Sequence, residues 1–347
     1  MRLASVTLAR DEADIIELFV RHTLHFVDRM YIVDDGSTDD TSLILSLLER
    51  EGLPLVVIRE DNTAAYQQGL RTTALMQRAM RDENWHFVLP LDADEFITAV
   101  DRKDLHDDLA ALPKGAIGAF SLRQYLPPVS IQARGASSDQ SALSRISCVL
   151  DLPRHPNKIV VPGSLAAHRE TLISDGNHRV SRYHTELPAI LLAHCDLAHI
   201  PVRSMDQLAA KCLVSYVRWR ARSDYMPATA AHHMAGVQVL ADEPGLLLTK
   251  PELLLLAYLP EAGQPVRHDP PRILGECHYP HLARIYPYRR LLGSLDALVE
   301  RSRSDARETA AMRKKLARRG PVLARISAFG RKLHRSVMKR CLAVRMR

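Results

Sequence analysis

The segment Leu91-Asp92-Ala93-Asp94-Glu95-Phe96 places two carboxylates two positions apart directly after the apolar run Phe87 to Leu91. On an extended segment such side chains point the same way, so Asp92 and Asp94 are expected to face one pocket. Carboxylates that close repel, and burial raises the cost of keeping both charged. A divalent cation relieves that conflict. Hard oxygen ligands suit Mg2+ or Mn2+, which complete their shells with substrate phosphates. Such an ion would neutralise charge growing on a leaving diphosphate. A solvated acidic turn is the plainer explanation of the triplet taken alone.

A second acidic run, Asp34-Asp35-Gly36-Ser37-Thr38-Asp39, follows another short apolar stretch. Ser37 and Asp39 fit a turn and a helix cap. That leaves Asp34 or Asp35 to accept hydrogen bonds from a base edge or a ribose. Glu12, just past the first apolar run, is a third candidate. A first-turn helix acid is its equally good structural explanation.

These residues need elements to hold them in common. Leu3–Ala9, Met30–Val33, Leu55–Ile58 and Phe87–Leu91 read as strands, and Ala116–Leu122 as a further one. Between them, Asp11–His25, Asp39–Glu51 and Ala65–Arg81 carry apolar residues at helical spacing. Alternation of this kind predicts an α/β fold, a mainly parallel sheet with helices on both faces. Ligands then lie at the carboxyl ends of the strands, where all three acidic positions fall. Residues 127 to 190 read as loops and short strands, Asp206–Arg222 as a helix, and Leu291–Leu316 as a charged helix.

The runs Ala9-Arg10-Asp11-Glu12, Val33 to Asp39 and Leu91 to Phe96, in that order, resemble family-2 glycosyltransferases of the GT-A fold, and a bacterial subgroup in particular. The resemblance covers roughly residues 1 to 100, and the HRV and AHIPVRS stretches are similar to later parts of that subgroup. It implies a Rossmann-like GT-A domain, a nucleoside-diphosphate sugar donor (a UDP-sugar foremost), Mn2+ or Mg2+, and an inverting displacement. Carried over by position, Ala9, Glu12 and Asp35 would line the nucleotide pocket. Asp92 would sit near ribose and metal, and Asp94 would ligate the metal. Members often carry Asn-Glu where this chain has Asp11-Glu12.

Inversion needs a general base for the acceptor hydroxyl. Related enzymes use a later Glu-Asp pair that this chain lacks. Asp175 and Glu95 lead among the substitutes, ahead of Glu186; an Asp-Gly turn is the plain explanation of Asp175. His178 and His199 fall where the subgroup also has histidines, and either would tilt the ion toward manganese. Lys158, Arg203 and Lys211 are candidates to clamp the diphosphate. For any one of these, a structural or solvated residue is the simpler alternative.

The net charge of +7 arises from 47 basic and 40 acidic residues, but 13 Lys or Arg and no acid fall between Arg313 and Arg347. The rest has 34 basic against 40 acidic residues, a net of −6. Val322, Ile326, Phe329, Leu333, Val337 and Cys341 recur at helical spacing among those bases, the pattern of a helix that lies on an anionic membrane surface. One aromatic is too few for stacking on bases, so nucleic acid is not an expected partner. The acceptor that fits is a cell-envelope glycan or lipid-linked saccharide. The five cysteines are scattered without a CxxC pair, which fits thiols in a reducing compartment. No apolar run is long enough to cross a membrane, so the expected location is the cytoplasm, peripheral at the inner face of the membrane. The expected divisions are a nucleotide-sugar half over 1–120, an acceptor half over 121–222, a mostly helical region over 223–312 and the basic tail over 313–347. Two alternatives remain. A sugar nucleotidyltransferase should carry a Gly-rich basic loop after the first strand, where Arg10-Asp11-Glu12-Ala13-Asp14 is acidic. A non-enzymatic binding protein would act through the tail.

Overall fold

The computed structural model describes residues 1–60, 67–126, 143, 146–222, 236–238, 240–241, 265–286 and 288–312. The basic tail and most of 223–264 lie outside the described residues. Four strands form the parallel part of the sheet: β1 (Leu3–Ala9), β2 (Arg29–Asp35), β3 (Leu55–Glu60) and β4 (Phe87–Pro90), in the order β3-β2-β1-β4. β1 is buried on both faces, Ser5 and Thr7 included, because it is covered on both, as central parallel strands are. Neighbouring side chains of β2 go to opposite layers. Met30 and Ile32 join the core under α1 (Ile16–Thr23) and α2 (Thr41–Arg50). Tyr31 and Val33 join the core with Met76 and Ala79 of α3 (Gln68–Asp82).

Beyond β4 the sheet changes direction. β5 (Glu95–Ile97), α4 (Arg102–Ala110) and the ten-residue β6 (Ile117–Leu126) follow it in sequence. β7 (Cys148–Leu150), β8 (Lys158–Pro162), α5 (Gly163–Ala166), β9 (Thr171–Ile173), β10 (Val180–Arg182), β11 (Thr185–Leu187) and β12 (Ala189–His199) lead to α6 (Met205–Arg220). β8 sits between β4 and β6, antiparallel to both. β12 lies parallel to β6 and antiparallel to β5. β9, β10 and β11 make a separate antiparallel ribbon.

Over the described residues of 127–190 there are loops and short strands, but β8 is an internal strand and β12, beginning at Ala189, an eleven-residue one. The helix expected from Asp11 begins only at Ile16. Asp11 sits at φ 55, and the carbonyl of Glu12 accepts from Ile15 and Ile16 N–H at 3.0 and 2.8 Å. A left-handed residue there turns the chain before the helix can start.

The bulge of β12 between Leu191 and Asp196 is held by buried Asp108 of α4. Its carboxylate accepts from the N–H groups of His194 and Cys195, both at 2.9 Å, and from His194 Nδ1 at 2.7 Å.

The segment after β13 (Val266–His268) returns to α1. Buried Glu17 accepts from the N–H of His278 and Tyr279 at 2.7 and 2.9 Å, and His22 Nδ1 accepts from Leu274 N–H at 3.0 Å. A last helix, α7, covers 288–312. Arg290 in its first turn donates to Asp39 at 2.5 Å. The chain divides into Met1–Leu295 and Asp296–Arg347. In the second unit every residue over 299–312 is exposed. Among the described residues no helix is long and apolar enough to cross a membrane. Cys148, Cys195, Cys212 and Cys277 are free thiols.

Candidate active site

Ala9, Asp35 and Pro90 end β1, β2 and β4 at one edge of the sheet, so the loops that follow converge. Asp92-Ala93-Asp94 is a turn rather than an extended strand, closed by Glu95 N–H donating to the Asp92 carbonyl at 3.1 Å. Asp92 and Asp94 therefore enter different surroundings.

Asp92 is held by protein donors. Its Oδ1 accepts from Gln68 Nε2 at 2.6 Å and Asn177 Nδ2 at 3.0 Å, and its Oδ2 from Lys158 Nζ at 2.6 Å. Gln68 opens α3, and Asn177 lies on the turn between β9 and β10. Two glycines make that junction possible. A Cβ on Gly69 would come within 2.5 Å of the Ile173 carbonyl oxygen, so α3 reaches the turn only through glycine. Gly176 adopts φ 78, and a Cβ there would strike the His178 ring at 2.4 Å. Asp175, on the same turn, accepts from Gly69 N–H at 2.8 Å and Arg222 Nη1 at 2.7 Å.

Asp94 is buried and meets a different set. Lys211 Nζ of α6 is 2.9 Å from its Oδ2, and His199 Nε2 lies 3.9 Å from its Oδ1. His199 is the register partner of Glu95 on one side and of Gln124 on the other, because β12 runs between β5 and β6. The imidazole Nδ1–H donates to Gln124 Oε1 at 2.8 Å, which leaves a lone pair on Nε2. Burial lowers the His199 pKa to about 4, so the ring is neutral. One ligand atom each from Asp94, Glu95 and His199 lies within 4.8 Å of the others. Two carboxylates and a neutral imidazole with its far nitrogen already bound suit a manganese-type ion. Neither Asp92 nor His178 belongs to that group. His178 Nδ1 is 3.3 Å from the Asn157 carbonyl oxygen, over Gly176.

Glu95 is fully buried. Its Oε2 accepts from Asp92 N–H at 3.0 Å, and its Oε1 is 2.7 Å from Lys158 Nζ. Burial, with Asp92 and Asp94 close by, pushes its pKa up against the pull of Lys158. Behind it, Arg203 is wholly buried and binds Glu12 and Asp14, the latter at 2.7 and 3.0 Å. Burial raises the Glu12 pKa as well, opposed by Arg203 and reinforced by Asp94. Paired this way, Glu12, Asp14, Asp92, Asp94 and Glu95 face Lys158, Lys211 and Arg203. The donor set of two carboxylates and a neutral imidazole fits a divalent ion.

Asp35 ends β2 among arginines. Arg71 Nη1 is 2.8 Å from its Oδ1, and Arg218 Nη2 of α6 is 2.5 Å from its Oδ2, with Arg10 at 3.9 Å. Asp34 turns back to accept from Ser37 N–H at 3.1 Å. Asp39 accepts from Thr41 N–H at 3.0 Å at the start of α2, while Ser37 Oγ accepts from Asp11 N–H instead of capping the helix. Ala9 is buried in the core on the α1 side. Glu186 pairs with Arg179 on the exposed ribbon.

The structure thus brings Glu12, Glu95, Asp92, Asp94, Lys158, His199, Arg203 and Lys211 together. It places Asp35 and Asp175 under other stretches of α6 and its C-terminal end, and keeps His178 apart from Asp94. Gln68, Asn177, Gln124, Arg71 and Arg218 carry no motif and were not anticipated. Each belongs to the site through partners tens of residues or more away in sequence.

No model of a known protein family matches the chain, and no curated protein matches it. Among solved structures it is similar to S. aureus TarS 1-349 in complex with UDP, at 16% identity over 71% of this chain and 74% of that one, with a TM-score of 0.34. It is similar to the mannosyltransferase PcManGT from Pyrobaculum calidifontis in complex with GDP-Man and Mn2+, at 15% identity over 74% and 85%, TM-score 0.35. Glucosyl-3-phosphoglycerate synthase from Mycobacterium tuberculosis, with Mn2+, UDP and glucosyl-3-phosphoglycerate, gives 13% identity over 60% and 75%, TM-score 0.30.

Proposed function

We propose that the chain is a metal-assisted glycosyltransferase of the family-2 type, moving a sugar from a nucleoside diphosphate to a hydroxyl acceptor with inversion. The observation that carries this reading is the group Asp94, Glu95 and His199 at the carboxyl edge of the parallel sheet, with His199 fixed as a neutral ligand. Asp94, Glu95 and His199 would hold Mn2+ or Mg2+, which supplies neutralisation of the leaving diphosphate. Asp92, gripped by Gln68, Asn177 and Lys158, orients the ribose side of the donor. Asp35 and Glu12 line the nucleotide pocket, with Ala9 at its floor. Lys211 and Lys158 carry the cations nearest the diphosphate. Arg203 contributes by keeping Glu12 and Asp14 in place rather than by reaching the donor.

Asp175 is the better placed of the two base candidates. Its side chain is 34% exposed on the turn that holds Asp92, whereas that of Glu95 is 0% exposed, against Lys158 and within the metal group. A UDP-sugar is the donor this reading favours, and an envelope glycan or lipid-linked saccharide the acceptor. The basic segment 313–347 would hold the enzyme at an anionic membrane surface.

The test is thermal stabilisation of the purified protein by UDP, GDP, CDP and TDP, each with and without Mn2+, repeated on Asp94→Ala. Ligand that binds the native state raises the melting temperature. A Mn2+-dependent rise with one nucleotide, lost in Asp94→Ala, is expected. No shift with any nucleotide at millimolar concentration sinks the assignment.

A further inference from the structure

Two lysines touch the metal-capable group, and they are not equivalent. The Lys158 side chain is 4% exposed and lies between two carboxylates, Asp92 and Glu95. That of Lys211 is 25% exposed, and its ammonium sits on Asp94 Oδ2. An ammonium in contact with that oxygen and a divalent ion on the same carboxylate are like charges at close range in a buried setting, where repulsion is poorly screened. Each therefore weakens the hold of Asp94 on the other. Lys211 can leave: its base is on the second turn of α6, and its flexible four-carbon stem lets the ammonium swing within the site.

We propose that the Lys211 ammonium and the divalent cation are alternative occupants of the Asp94 carboxylate, so that Lys211 is a built-in competitor for the metal. Resting on the reading of the site as one for a nucleoside diphosphate, a consequence follows. The phosphates offer Lys211 a new anionic partner at the moment it gives up Asp94. The diphosphate then strengthens metal binding by removing the competitor, and the metal strengthens diphosphate binding by the same factor, since coupling is reciprocal. The enzyme would hold metal weakly alone and well only with its donor.

The test measures Mn2+ affinity of the full chain by electron paramagnetic resonance, without nucleotide, for the wild type and Lys211→Met. Binding of UDP is measured in parallel, in EDTA and in Mn2+. Lys211→Met should bind Mn2+ about tenfold more tightly and UDP in EDTA about tenfold more weakly, a single carboxylate–ammonium contact being worth roughly that factor when partly buried. The two shifts have opposite signs, which misfolding would not produce; Lys211→Gln repeats the measurement if the methionine destabilises α6. Arg220→Met removes the same charge from the same helix away from Asp94 and should leave Mn2+ affinity unchanged. If it tightens Mn2+ equally, or if Lys211→Met leaves Mn2+ affinity unchanged or lower, the competition is overturned. Tighter Mn2+ with no UDP binding to either protein would uphold the competition and remove the nucleotide reading. UDP binding to both with unmoved Mn2+ affinity would do the reverse.

Discussion

Acidification should loosen this protein through one histidine. His22 is fully buried in α1, its Nε2–H donating to the Ile97 carbonyl at 3.0 Å and its Nδ1 accepting from Leu274 N–H at 3.0 Å. Both nitrogens are used as a neutral ring uses them, and a second proton would face the Leu274 N–H. Burial lowers the pKa from 6.5 to about 4. The sign follows from proton counting. Between those values the unfolded chain binds the proton and the folded one does not, so stability falls as pH drops. The contribution is intact above about pH 6.5, is lost progressively toward pH 4, and then levels off. The full span corresponds to roughly 3 kcal/mol, at about 1.36 kcal/mol per tenfold. Between pH 7.5 and 5 the loss is about 2 kcal/mol by the same relation. The assay is urea unfolding at those two pH values for the wild type and His22→Gln, whose side chain cannot titrate. Other groups titrate alike in both proteins, so the stability gap between them should shrink by about 2 kcal/mol at pH 5. A gap that stays the same at the two pH values would refute the assignment of a neutral, doubly bonded His22.

Four further outcomes are expected. Arg203→Met removes a buried cation and leaves the partly buried Glu12 and Asp14 without a partner, and should cost about 3–5 kcal/mol in urea unfolding; a loss under about 1 kcal/mol would mean that water reaches those carboxylates. Gln124→Leu frees the His199 tautomer without touching a ligand, and should weaken Mn2+ binding about 10–100-fold in a titration. His178→Ala should leave Mn2+ affinity unchanged, and equal losses in the two would place the ion elsewhere. Gly69→Ala drives a methyl into the Ile173 carbonyl and should destabilise the fold by about 1–3 kcal/mol, with a matching drop in nucleotide affinity as the grip of Gln68 on Asp92 loosens; a variant as stable as the wild type would show that α3 can shift freely.

Much of the parallel half could be read from the chain, because β1, β2 and β3 are each followed in sequence by a helix with its own apolar stripe. That alternation, continued by β4, predicts a sheet whose carboxyl edge gathers three acidic loops. The other half was harder. β8 and β12 pair with strands tens of residues away, and their short or bulged runs have no period that separates them from loops. His199 illustrates the loss. Its ligand-ready form depends on Gln124 and Glu95 flanking it across two strand pairings, and nothing in AHIPVRS announces either neighbour. The same holds for Arg203, a plausible phosphate clamp by residue type, which is committed to a buried pair with Glu12 and Asp14. Asp92 and Asp94 were legible as a pair of acids. Their separation into different surroundings, Asp92 among Gln68, Asn177 and Lys158 and Asp94 beside Lys211 and His199, was not, since it arises from a turn and not from an extended strand.

The pairing of α6 with the sheet edge explains how a cluster this acidic can fold at all. Ser204 caps the helix by accepting from Gln207 N–H at 3.1 Å, and Arg203 just before it is locked to the loop after β1. So anchored, the helix and the turn after it lay Lys211, Arg218 and Arg222 against Asp94, Asp35 and Asp175 in turn. Each contact neutralises a carboxylate that a nucleotide, a metal or an acceptor would otherwise have to satisfy. Under the proposed function, the cations that stabilise this edge are the groups a donor would have to win over. Binding at such an edge is an exchange of partners at nearly constant charge, not the filling of an exposed acidic cleft. An edge built that way should select ligands that bring both signs at once, a metal with a diphosphate, over either one alone.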